Sequence, residues 1–135
     1  MPVLVSACLL GFPCRHDGAD KRDARVLQRL QGEEIVPVCP EVAGGLPVPR
    51  AAAWLDGSRV IDASGGEVTA QFEAGALAAV AAARQHEATL AILKQNSPSC
   101  GTRMTGTSHG RAPGRGRAAQ ALAKAGLQLL AEDDP

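Results

Sequence analysis

The stretch TLAILKQNSPSCG (Thr89–Gly101) joins an apolar run of strand length to a tail that no regular element can use. Pro98 stops a helix from passing through, and Gly101 permits a sharp reversal. Between them and the run sit two hydroxyls, Ser97 and Ser99, and one thiol, Cys100. Two other apolar runs end in the same way. VLVSACLLG (Val3–Gly11) delivers Cys8, and EIVPVCPE (Glu34–Glu41) delivers Cys39. Three short β-rich runs that each end on a cysteine predict strands whose ends meet.

The segments between them decide how those strands pair. In KRDARVLQRLQ, Val26, Leu27 and Leu30 fall at helical spacing, and Gly32 ends the pattern. Residues 70–87 are alanine-rich, with Phe72, Leu77 and Val80 on one face and Thr69 placed to cap. GRAAQALAKAG (116–126) predicts a last helix stopped by Gly126, and LQLLAED (127–133) a last strand. PEVAGGLPVPRAAA (40–53) reads as loop, and SRVIDASGGEVTA (58–70) as a hairpin turning at Ser64-Gly65-Gly66. The closing EDDP (132–135) is expected to be a loose end. This order predicts a single α/β domain over residues 1–135. Its small open sheet is mostly parallel, with helices on both faces in a Rossmann-like three-layer arrangement and a short hairpin insertion. In such sheets the ligand site lies beyond the carboxyl ends of the strands, where Cys8, Cys39 and Cys100 fall.

Bulk composition agrees. A chain of 135 residues can bury a core without disulfide staples. Aromatics are only 2%, so Leu, Val, Ile and Ala must fill that core. The 14 basic and 14 acidic residues balance, which gives no sign of a nucleic-acid or membrane binder. No stretch approaches the roughly 18 apolar residues of a bilayer span. The N-terminus has no basic n-region and reads as a strand, not a signal peptide. A cytoplasmic protein with reduced thiols is the expectation.

Cysteine is often plain core, and burial alone is one reading of all three strand-end thiols. The other is a shared site. The spacing matches no zinc ribbon, and soft thiolates suit zinc, Cu(I) and iron–sulfur clusters. Three thiolates on a [4Fe-4S] cube leave one iron open as a Lewis acid toward a substrate atom such as sulfur. Cys14 is either a fourth donor or a spare thiol. Glu41, two residues after Cys39, is either a solvated loop carboxylate or a general base. The basic stretch RAPGRGR (111–117) is a solvated loop or an anion-binding lid. His16, His86 and His109 have no evident role.

VSACLLG, CRHDG with KRD shortly after, CPEVAGGLPVPR and LKQNSPSCG resemble, in order, the signature segments of the thiouracil desulfurase family, formerly a domain of unknown function. The resemblance spans residues 3–101. It implies a [4Fe-4S] cluster held by Cys8, Cys39 and Cys100, with Glu41 and Ser97 as catalytic residues. The family pattern needs no cysteine at Cys14. Asp17, Gly44, Gly45, Arg50 and Ser99 lie in the matched segments and are candidate substrate contacts, with a mutual ion pair the alternative for Asp17 and Arg50. The implied activity is non-redox desulfuration of a small thiolated pyrimidine such as 2-thiouracil, releasing sulfide. The open iron binds the substrate's sulfur and Glu41 activates water. After Gly101 the family usually carries tyrosine and phenylalanine. Thr102–Leu122 has neither, so the precise thio-compound is not implied. The competing readings are a cluster- or zinc-binding regulatory module without turnover, and an enzyme with Cys39 or Cys100 as nucleophile. Neither oligomeric state nor a protein partner is implied.

Overall fold

A computed structural model describes residues 1–134. The elements run β1 (Pro2–Ser6), a 3₁₀ turn (Ala7–Leu10), α1 (Ala24–Arg29), β2 (Glu34–Val38), α2 (Pro40–Ala43), β3 (Ala53–Asp56) and β4 (Arg59–Asp62). They continue α3 (Thr69–Gln85), β5 (Leu90–Leu93), β6 (Met104–Thr107), β7 (Gly110–Pro113), α4 (Arg117–Lys124) and β8 (Gln128–Ala131).

Strands β2-β1-β5-β8 form the predicted parallel sheet, in that order. Its central strands β1 and β5 are buried on both sides because side chains alternate between two cores. Leu4, Val36, Val38, Ala91 and Leu93 face one core with Ala76, Ala79 and Ala83 of α3 and Leu122 of α4. Val3, Val5 and Ile92 face the other with Leu9, Val26 and Leu30. Helices therefore cover both faces. Pro37 sits in β2, where its missing N–H faces outward, because β2 is an edge strand. Among the described residues no helix is long and apolar enough to cross a membrane.

Three expectations need correction. The hairpin insertion is half of a second four-stranded sheet, ordered β4-β3-β6-β7. Its β3–β4 hairpin turns at Gly57, not at Ser64-Gly65-Gly66. The two-residue loop is Gly57-Ser58, and Gly57, at φ +62°, supplies the left-handed conformation that such a tight turn needs at its first position. The Ser64–Gly66 reversal exists but carries only an isolated bridge, Ile61 to Glu67. The C-terminal segment is also tied down. Glu132 accepts the Gln95 N–H at 2.7 Å and pairs with Lys94 at 3.0 Å, and Asp133 and Asp134 both pair with Arg103. Pro135 lies outside the described residues.

Local signals place the helix starts. Thr69 is the first residue of α3, not its cap; its hydroxyl accepts the Val60 N–H at 2.9 Å and joins α3 to β4. Asp23 caps α1, accepting from Arg25 N at 2.9 Å and Val26 N at 3.2 Å. A hydrogen bond from the Arg25 side chain, helped by those backbone N–H groups, holds the Asp23 carboxyl below its ordinary range. Asp23→Ala should lower unfolding free energy by about 1 kcal/mol in a denaturant titration at neutral pH. The depressed folded-state pKa means that this contribution is complete above the unfolded value, about 3.9, and disappears as pH falls through the folded one. Parent and variant should therefore converge in strong acid.

Candidate active site

The carboxyl ends of β1, β2 and β5 open onto one cavity of about 280 Å³, close to the lower end of the usual range for ligand pockets. Cys8, Cys39, Cys100 and Cys14 all line it, as do Glu41, Arg50, Ser97 and Ser99. All four cysteines are free thiols. Each strand-end thiol arrives by a different device. Cys8 lies in the 3₁₀ turn after β1, closed by Gly11 in the left-handed region at φ +102°. Cys39 is the residue before α2, whose first position is Pro40. Cys100 lies in a turn whose nitrogen is held at 3.0 Å by the Ser97 hydroxyl.

Close backbone packing fixes two of these loops. A Cβ on Gly75 of α3 would lie 1.9 Å from the Pro40 oxygen, and one on Gly44 would lie 1.9 Å from the Gln71 oxygen. Helices α2 and α3 therefore cross at backbone contact, which seats Cys39 and Glu41. The Ser97–Gly101 turn is clamped by α4. Arg117 N donates to Pro98 O at 3.0 Å, and Ala118 N and Ala119 N donate to Ser99 O at 2.9 and 3.1 Å.

The thiols differ electrically. Burial pushes Cys100 up to about 12 and, with the charge of Cys39 adding, Cys8 up to about 11. A hydrogen bond between the Cys14 and Cys39 side chains raises Cys14 and lowers Cys39. Cys39 is thus the thiol readiest to ionise, while Cys8 and Cys100 need a cationic partner to do so at neutral pH.

Glu41 is held on both oxygens. Arg50 Nε donates to Oε1 at 3.1 Å, and Ser99 Oγ donates to Oε2 at 3.0 Å. Arg50 also donates to the carbonyls of Cys14 at 2.9 Å and Pro47 at 3.1 Å, so one buried guanidinium ties three loops. Its partner is Glu41 and not Asp17. Asp17 is exposed outside the cavity, where it accepts the Ala19 N–H at 3.0 Å. Gly44 and Gly45 also lie outside the lining; Gly44 serves the α2–α3 crossing.

Sequence reasoning gave no role to most of the basic residues at the mouth, and placed Arg111 only in a solvated loop or an anion-binding lid. Arg15, His16, Lys21, Lys94 and Arg111 line that mouth, Arg111 arriving on β7. His16 stands in the matched CRHDG segment, which was the available signal; Arg111 depended on an unforeseen hairpin. The other basic residues of 111–117 differ. Arg115 is exposed, and Arg117 reaches the Ser58 carbonyl and, at 3.7 Å, Glu73. His86 lies 3.9 Å from Glu34 on the surface, and His109 is exposed between β6 and β7.

The sequence model of the 2-thiouracil desulfurase family matches residues 3–134. The chain belongs to that family. As a 2-thiouracil desulfurase family member it is 33% identical, over 145 aligned positions, to the uncharacterized protein YbbK of Bacillus subtilis (strain 168), covering 98% of this chain and 96% of that protein. Among solved structures, it superposes on the [4Fe-4S]-dependent thiouracil desulfidase TudS with a TM-score of 0.91 and 39% identity. That match covers 98% of this chain and 91% of TudS. The family match extends through the Thr102–Leu122 segment, so the missing aromatics there do not mark the end of the likeness.

Proposed function

We infer that this chain removes sulfur from a 2-thiouracil-like pyrimidine by hydrolysis, using a [4Fe-4S] cluster held by Cys8, Cys39 and Cys100. The observation that carries this reading is the meeting of these three thiols with Glu41 at one cavity, in a chain of this family. The donor set fits the group. It is all soft sulfur, from three separate strand ends, in a partly buried pocket. Among the described residues no three His, Cys, Asp or Glu side chains stand close enough to hold one metal ion.

When bound, such a cluster supplies a Lewis-acidic iron that makes the substrate's sulfur a better leaving group. The chain's own residues supply the rest. Glu41, fixed by Arg50 and Ser99, takes the proton of the attacking water. Ser97 and Ser99 line the cavity beside Glu41, and Lys94 and Arg15 add positive charge toward Cys8. The net change is thiocarbonyl plus water giving carbonyl plus hydrogen sulfide, with no electron donor.

The test is an anaerobic assay of the iron- and sulfide-reconstituted chain with 2-thiouracil. Uracil and sulfide should appear in equal amounts, with no added reductant. A reconstituted chain that consumes no thiouracil would favour a binding module instead.

A further inference from the structure

Ser99 is almost fully buried, at 2% exposure, and its hydroxyl stands between the two residues assigned to catalysis. It lies 3.0 Å from Ser97 Oγ and 3.0 Å from Glu41 Oε2. Proton counting orders these contacts. Ser97 Oγ already accepts two backbone N–H groups, from Ser99 at 3.2 Å and Cys100 at 3.0 Å. Its own proton is therefore free to point at Ser99. Ser99 has one proton, and the carboxylate is its best acceptor; the Cys100 sulfur lies farther off, at 3.7 Å.

The result is a directed chain, Ser97 to Ser99 to Glu41, closed on the far side by Arg50. The backbone beneath it cannot drift. Ser99 O accepts from two N–H groups of α4, and a Cβ on Gly116 would meet the Ser99 carbonyl carbon at 2.5 Å.

We propose that Ser99 is a positioning residue: its buried hydroxyl couples Ser97 to Glu41 and orients the Glu41 carboxylate toward the cavity. It does not itself contact substrate. This inference rests on the desulfurase reading for its kinetic consequence, while the hydrogen-bond contact stands apart from it. Loss of a hydrogen bond to a charged group predicts that kcat falls roughly ten- to a hundredfold in Ser99→Ala. KM should stay within about twofold, since uniform binding is untouched.

The experiment has three arms. In the reconstituted enzyme, Ser99→Ala should lower kcat while iron and acid-labile sulfide per chain stay at the parent level. The double variant Ser97→Ala/Ser99→Ala should be little worse than the more damaging single variant, because both act along one chain. In the full chain without cluster, the infrared carboxylate band of Glu41, isolated by difference from Glu41→Gln, should shift when Ser99 becomes Ala. An unshifted band, a kcat within twofold of parent, or iron lost in step with activity would each overturn the proposal. A parent that releases no sulfide, together with a shifted band, would instead sink the desulfurase reading and leave the contact standing.

Discussion

Glu41→Gln should lower sulfide release by roughly 10²–10⁴-fold, the usual contribution of a general base, and leave iron content unchanged. The amide keeps the shape of the side chain. It can still accept from Ser99 or Arg50, but it cannot take a proton from water. Cys39, two residues away, is seated by the α2–α3 crossing and not by the carboxylate, so the thiol should stay in place. Turnover by the reconstituted variant, measured beside its iron-to-protein ratio, separates the roles. Equal loss of iron and activity would make Glu41 a structural residue of the loop. The full parent rate would remove it from the chemistry.

Gly116→Ala should be nearly as damaging, by another route. The added methyl would lie 2.5 Å from the Ser99 carbonyl carbon and 2.8 Å from the Cys100 nitrogen, both backbone atoms. Neither can swing aside as a side-chain tip would, so the Ser97–Gly101 turn must move off α4. Overpacking of this kind costs about 1–3 kcal/mol. It also displaces Cys100 and Ser99 together. The variant should lose thermal stability, iron and turnover in parallel. Gly106→Ala is the matched control: its Cβ would meet only the Asn96 oxygen at 3.7 Å, an ordinary contact. If both alanine variants bind iron equally, the clamp by α4 does not position the site.

These two results depend on features of different legibility. The parallel sheet was readable because VLVS, EIVPV and LAIL are apolar on both faces, as strands between two helical layers must be. Once their order was inferred, the meeting of Cys8, Cys39 and Cys100 followed from topology. The second sheet was hidden for the opposite reason. MTGT and GRAP are short, with little apolar alternation, and β3 joins β6 through the single Leu55–Thr107 register pair. Two glycine turns flank RVID, at Gly57 and Gly65; the sequence reading took the second, and the hairpin forms at the first, where AWLD pairs with RVID. The Ser99 hub was out of reach for a third reason. A hydroxyl bridging a turn after β5 to a carboxylate in α2 spans 58 positions of sequence, and only the assembled fold shows it. Nor did local pattern show that Arg50 serves Glu41 in preference to Asp17.

The most direct measurement is iron and acid-labile sulfide per chain after anaerobic reconstitution, for the parent and for single alanine variants at Cys8, Cys14, Cys39 and Cys100. The account predicts about four of each in the parent and in Cys14→Ala, and a near-complete loss in the other three. A parent that takes up no iron, or a Cys100→Ala variant that holds as much as the parent, would contradict it.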